Sequence, residues 1–383
     1  MKIIIAPDSF KGSLTADEVS QEIHTGLLRV FPHAKYQLIP MADGGEGTLE
    51  ALVTATKGSF IKVKVHNPLH KITESYFGLT GDKQTAIIEM AQASGLQFVD
   101  KNTANPGFTS TYGTGELIAK ALEYNPKNII ITMGGSSTND AGAGMITALG
   151  AKLLDNNNMP VNLGGENLDL ISKIDLTELD ARLKKTNIIL ATDVQNPLTG
   201  KQGASLVFSK QKGASNSQAI MLDKKLHSFA QLSKQITGLD HEFTPGAGAA
   251  GGLGFAGLTF LNAKIESGIE LVLKLTNFHQ KAKDADLVFT GEGGIDFQTQ
   301  FGKTPFGVAQ AAKLASPNCT VIALAGNIGA SVEVLYGDDK IDAIFATETG
   351  AKSLSQAIKD SKHDLRQTSE NIARLIKRQQ KRR

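Results

Sequence analysis

A chain of 383 residues is long enough for two or three domains and more than one apolar core, which excludes a peptide or a disulfide-stapled mini-protein. Hydrophobic residues make up 41% and charged residues 20%, with 40 Lys+Arg against 38 Asp+Glu, a balance that fits neither a disordered chain nor a nucleic-acid binder. The single cysteine, Cys319, rules out an intramolecular disulfide and a thiolate metal cluster and fits a reducing, cytoplasmic setting.

The start, MKIIIAPDSFKGS, lacks the basic segment and long apolar run of a signal peptide, and no stretch reaches the ~20 apolar residues of a membrane span, so no membrane role is expected. Short β-branched runs at 2–6, 36–40, 128–133, 187–191, 286–290, 320–325 and 341–346 read as buried parallel strands. Between them lie helical patterns. In 15–30, Thr15 and Glu18 have the spacing of a capping box, and Val19, Ile23, Leu27 and Val30 recur at helical spacing. Residues 61–79 alternate as a β-ribbon, 161–206 mixes short strands with turns, and 361–383 reads as an amphipathic helix ending in the basic run KRQQKRR, a solvated helix end. The expected fold class is α/β: a doubly wound, mostly parallel sheet domain built from 1–60 and 283–383, with a second α/β domain, 61–282, inserted and the active site in the cleft between them.

In an open parallel sheet, ligands bind beyond the carboxyl ends of the strands. There the chain carries DSFKGS (8–13), ADGGEGT (42–48), GGSSTNDAGAG (134–144), TDVQNPL (192–198) and GEGGID (291–296). Asp and Gly favour caps and turns, so one such loop means little, but the recurrence points to a site. Glycines let backbone N–H groups approach an anion, and a helix start adds partial positive charge, so 134–144 suits phosphate cradling as well as close helix–sheet packing. The run PGAGAAGGLG (245–254) holds a G-x-G-x-x-G, yet 240–245 is not a strand, so a nicotinamide-dependent hydroxy-acid oxidoreductase is only weakly indicated. Gly302-Lys303-Thr304 resembles the end of a Walker A loop, but Phe297 stands where its first glycine belongs. The histidines form no HExxH zinc motif, and there is no G-x-S-x-G elbow. Carboxylates for Mg²⁺, N–H groups and lysines for phosphates, and a carboxylate for a hydroxyl are the parts of phosphoryl transfer.

APDSFKGSLTA, PMADGGEGT, TSTYGTGE (109–116), MGGSSTNDAGAG, ATDVQNPLTG, VFSKQKGA (207–214), PGAGAAGGLG and TGEGGIDFQTQFGKTPFGVA together resemble, end to end and in order, the motifs of the bacterial glycerate kinases of the first type. The resemblance implies a two-domain α/β enzyme that uses ATP and Mg²⁺ to phosphorylate D-glycerate at its 2-hydroxyl, giving 2-phospho-D-glycerate. On that footing Asp193 is the expected base for the reacting hydroxyl, with Asp296 second, and Lys11, beside Ser9 and Ser13, is expected to hold an anionic group. Lys303 would neutralise the transferred phosphoryl group. Gly134, Gly135, Ser136, Gly248 and Gly251 would cradle the nucleotide phosphates, and Asp43 and Glu292 would hold Mg²⁺ directly or through water. Two positions depart from the pattern: Gly294, where the family commonly has arginine or lysine, and Ser137, where it often has alanine. The other readings are a glycerate 3-kinase, the oxidoreductase and a non-turning-over metabolite sensor, all with small-molecule partners. The sequence does not set the oligomeric state.

Overall fold

The computed structural model describes residues 1–381; Arg382 and Arg383, the end of the basic tail, lie outside the described residues. The strands β1 (Lys2–Ile5) and β2 (Lys35–Leu38) open the chain. The middle carries β3 (Ser59–His66), β4 (Ile72–Leu79), β5 (Thr85–Glu89), β6 (Asn128–Thr132), β7 (Lys152–Leu154), β8 (Lys173–Asp175), β9 (Asn187–Ala191) and β10 (Lys264–Glu266). The chain closes with β11 (Leu287–Ile295), β12 (Thr320–Ile328) and β13 (Ala343–Ala346). It divides into two compact units: Met1–Asp43, Glu50–Thr56 and Ser267 onward in the first, Gly44–Leu49 and Lys57–Glu266 in the second.

The first unit is a parallel sheet in the order β13-β12-β11-β1-β2. Counted within the unit this is 2-1-3-4-5, a doubly wound order whose direction reverses between β1 and β11. That switch point is where such a sheet opens a crevice for a ligand. Helix Ala16–Leu28 forms as the spacing requires: Thr15 Oγ1 accepts from Glu18 N at 3.2 Å, Thr15 N donates to Glu18 Oε2 at 3.1 Å, and Val19, Ile23 and Leu27 are buried. Its Gly26 lies against the terminal helix Leu354–Gln380, where an added Cβ would fall 2.3 Å from Arg366 O. That helix begins earlier than expected and buries Leu365, Ile372 and Ala373. The helices Gly268–Leu275 and Phe278–Ala282 belong to this unit rather than to the middle of the chain, because Ile269 packs on Gly307 of helix Thr304–Ala315, leaving no room for a Cβ. The segment GEGGID is not a loop for most of its length. Gly291 to Ile295 continue β11 in register with Leu324 to Ile328 of β12, since Gly291 lets the neighbouring backbone come close.

In the second unit the sheet order is β10-β9-β6-β5-β4-β3. β5, β6, β9 and β10 run parallel, while β3 and β4 form the expected antiparallel ribbon. A small antiparallel pair, β7 and β8, lies apart. Ile87, Ile129, Ile131, Ile188 and Leu190 are buried in the sheet, as unbroken apolar strands covered on both faces should be. Among the described residues no helix is long and apolar enough to cross a membrane.

Candidate active site

At the carboxyl ends of β1, β2 and β11, at the switch point, a cavity of about 340 Å³ is lined by Asp8, Ser9, Lys11, Asp43, Glu292, Gly293, Gly294 and Lys303. Thus Ser9, Lys11, Asp43, Glu292 and Lys303, placed in the sequence far apart, come together. Asp8 is 4% exposed; its Oδ1 accepts from Ser9 N at 2.6 Å and its Oδ2 from Thr304 Oγ1 at 2.5 Å. Burial first, and the Asp43 charge second, push the Asp8 carboxyl up to about 7, against the opposing pull of Thr304, Ser9 and Lys11. Glu292 Oε1 accepts from Thr299 Oγ1 at 3.1 Å and faces Lys303 Nζ at 3.5 Å. It too is raised, chiefly by burial, with Lys303 and Thr299 opposing and Asp43 adding to the rise. Negative charges crowded in a partly dry crevice beside two lysines make a receptor for a cation and for an anion.

The G-K-T segment turns out to be a helix start. Gly302 has φ +93, Lys303 caps helix Thr304–Ala315, and the Thr304 hydroxyl serves Asp8 instead of a phosphate. Ser13 Oγ is 2.8 Å from Ser361 Oγ, so this hydroxyl ties the 8–13 loop to the terminal helix and does not line the cavity. Asp296 accepts from Gln298 N at 2.9 Å and completes a capping box with Thr299 at the turn Phe297–Gln300, so its carboxylate is already engaged with backbone.

In the second unit, Asp193 follows the end of β9, half-buried, ahead of a fixed turn in which Asn196 Nδ2 donates to Gln202 O at 2.8 Å and Leu198 N to Glu242 O at 2.9 Å. Glu89, the last residue of β5, is 2% exposed and accepts from Gly47 N at 3.1 Å and Leu49 N at 3.4 Å. Burial, helped by the Glu46 charge, raises it to about 7. The N–H groups of the 44–49 loop therefore serve an internal carboxylate. After β6, Gly134 lies against Gly45, where a Cβ would approach its Cα to 2.9 Å, and Gly135 has φ +73. Ser136 Oγ accepts from the buried Lys212 Nζ at 2.7 Å. Asp140 is wholly buried and accepts from Thr111 N at 2.8 Å, Thr111 Oγ1 at 2.9 Å, Gly142 N at 3.1 Å and Gly144 N at 3.3 Å. Gly248 and Gly251 are required sterically. A Cβ on Gly248 would fall 2.2 Å from Pro197 O, and one on Gly251 2.0 Å from Thr138 O. Gly248 N already donates to Asn196 O at 2.9 Å. The G-x-G-x-x-G follows a turn, with Ala250, Gly251 and Gly252 left-handed, which removes the strand-to-helix context a dinucleotide fold needs.

The glycerate kinase family model matches residues 3–377. A glycerate kinase of Halalkalibacterium halodurans is 47% identical over 371 residues, covering 97% of each chain. A glycerate 2-kinase of Escherichia coli is 46% identical over 376 residues, 98% of each chain. The crystal structure of a Salmonella typhimurium protein described as a putative glycerate kinase 2 superposes with a TM-score of 0.90 at 44% identity, covering 100% of this chain and 99% of that one. The chain belongs to the glycerate kinase family. It is accordingly an enzyme, a phosphotransferase with an alcohol group as acceptor.

For a glycerate kinase, the donor set of the first-unit cavity has consequences. Among the described residues no group of three or more His, Cys, Asp or Glu side chains could by itself hold a metal ion. Carboxylate oxygens at the cavity still fit Mg²⁺, which keeps several waters and takes only one or two protein carboxylates alongside phosphate oxygens. Gly294 borders the cavity with nothing within 4 Å of an added Cβ. Sequence reasoning assigned no role to Asp8, Thr304, Glu89, Asp140 or Lys212. Asp8, the first polar residue after β1, carried a signal; Lys212, only 2% exposed, carried none, since lysine is almost never fully buried unless paired.

Proposed function

We propose that this family member transfers the γ-phosphoryl group of ATP to the 2-hydroxyl of D-glycerate, giving ADP and 2-phospho-D-glycerate. The observation that carries the reading is near-complete coverage, at 46% identity, by the Escherichia coli relative named glycerate 2-kinase. The cavity chemistry supports it. Lys11 and Ser9 offer charge and a hydroxyl to an anionic group, and Lys303 balances charge on the group being transferred. Asp43 and Glu292 are the carboxylates that would hold Mg²⁺, which supplies charge neutralisation at the phosphates when bound. Burial, with the Asp43 charge adding to it, disfavours the ionised forms of Asp8 and Glu292, and a cation bound beside them would favour those forms. Asp193 orients the acceptor hydroxyl and takes its proton. Ser136, with the Gly134-Gly135 turn, faces the nucleotide phosphates.

The test supplies D-glycerate and MgATP with enolase but no mutase. Direct formation of phosphoenolpyruvate is expected. ADP release without phosphoenolpyruvate would mean the 3-phosphate product, and no glycerate-dependent ADP release would reject the kinase reading.

A further inference from the structure

Lys212 ends the turn Lys210–Lys212 and is one of the largest fully buried side chains of the protein. An ammonium taken out of water must find acceptors, and here Nζ donates to Thr138 O at 2.7 Å and to Ser136 Oγ at 2.7 Å. An ammonium has no lone pair. Ser136 Oγ is therefore the acceptor, and its own hydrogen is turned away from the lysine, free to be given to something else. On the same loop the Thr138 hydroxyl is buried without a hydrogen-bond partner, leaving a second O–H donor beside Ser136 unused.

We infer that residues 134–138 form an oxyanion site in which Lys212 is a positioning residue, holding the Ser136 hydroxyl as a donor toward a nucleotide phosphate or the glycerate carboxylate. The inference rests on the kinase reading for the choice of these two anions, and its geometry is contained in the second unit.

The same contact makes the site sensitive to pH. Burial brings the Lys212 ammonium down to about 7, and Asp140 is the charged group that opposes this; the atoms Lys212 touches, Ser136 Oγ and Thr138 O, are neutral. Asp140 is itself raised by burial against the donors of Thr111, Gly142 and Gly144. When Lys212 loses its proton, its nitrogen gains a lone pair that accepts the Ser136 O–H. The hydrogen swings inward, and the site loses a positive charge and a donor together. By linkage, a bound oxyanion favours the protonated lysine, so binding near neutral pH takes up a proton.

The experiment is calorimetric binding of inorganic tripolyphosphate and, separately, of D-glycerate to the full chain at about pH 6.5 and about pH 8.5. Wild type, Ser136→Ala and Lys212→Met are compared in buffers of different ionisation enthalpy. For one of the two probes, Ser136→Ala should bind roughly tenfold more weakly at the lower pH, the scale of one hydrogen bond to a charged group. The gap to wild type should close at the higher pH. The probe that shows this identifies the anion. Lys212→Met should remove the proton uptake; should that variant fail to fold, the pH dependence of the Ser136→Ala difference still decides. Equal affinity of wild type and Ser136→Ala for both probes, or a difference that does not change with pH, overturns the inference. Glycerate-dependent ADP release by wild type is measured alongside. Its absence with Ser136-dependent binding intact sinks only the kinase reading, and turnover without such binding sinks only the oxyanion site.

Discussion

The Thr304 hydroxyl donates to the Asp8 carboxylate at 2.5 Å across 296 positions of chain, tying the start of a late helix to the loop after the first strand. This bond opposes the burial and the Asp43 charge that raise Asp8, so it helps keep the carboxylate ionised at the cavity. A hydrogen bond to a charged group contributes ~1.5–3 kcal/mol, which corresponds to roughly tenfold to a hundredfold in rate. Thr304→Val should therefore lower kcat/KM by at least about tenfold and move the acid limb of the pH–rate profile upward. Thr304→Ser, which keeps the donor, should stay near wild type. Equal kinetics for the two variants would remove the bond from any part in turnover.

Glu89 gives a prediction about stability. Its carboxyl, 4.5 in its ordinary state, is raised to about 7 in the fold, so the folded chain holds a proton that the unfolded chain has released. Stability from this group is complete below about 4.5 and is lost as pH rises through about 7. Glu89→Gln carries no charge and can still accept from Gly47 N and Leu49 N through its amide oxygen. Its stability should gain on wild type as pH rises from about 4.5 to above 7, the gain levelling off at no more than ~3 kcal/mol. Thermal melts across that range check it; a difference independent of pH would mean that Glu89 is not protonated in the fold.

What was legible in the sequence divides along a physical line. Local signals held: Thr15 and Glu18 make their box, and the 61–79 ribbon pairs. They held because caps, periodicity and strand ends are decided within a few residues. Whatever depended on a distant partner was not legible. Ser13 meets Ser361, and Gly248 and Gly251 meet the carbonyls of Pro197 and Thr138, partners that no local pattern announces. Asp296 shows the opposite hazard, because Asp is both a common cap and a common catalyst, and its bond to Gln298 N shows the cap.

Gly294 offers a gain-of-function test. It borders the cavity, an added Cβ meets nothing within 4 Å, and its φ is not in the left-handed range, so a long side chain can be built there without strain. Gly294→Arg would set a fixed positive charge beside Asp43 and Glu292. Stability should change by less than ~0.5 kcal/mol, as for an exposed surface substitution. The Michaelis constant for an anionic substrate should fall severalfold, and more at low salt than at high salt, because an exposed charge is screened. Unchanged constants at both ionic strengths would show that the missing cation is not felt by the substrate.

Asp193 carries the sharpest prediction. It sits just past the end of β9, and the following turn is pinned by Asn196 on Gln202, by Leu198 on Glu242 and by the Gly248 amide on Asn196, so the backbone that presents its carboxylate has little freedom. A base that accepts the glycerate hydroxyl proton in the transition state contributes about a hundredfold or more to turnover. Asp193→Asn keeps size and shape and removes that capacity, so kcat should fall by at least about a hundredfold while the Michaelis constants for glycerate and ATP change little. A residue that only held the turn would behave differently: its loss would raise the Michaelis constants and lower the melting temperature. If Asp193→Asn turns over at close to the wild-type rate, the proton leaves by another route and Asp193 is not the base.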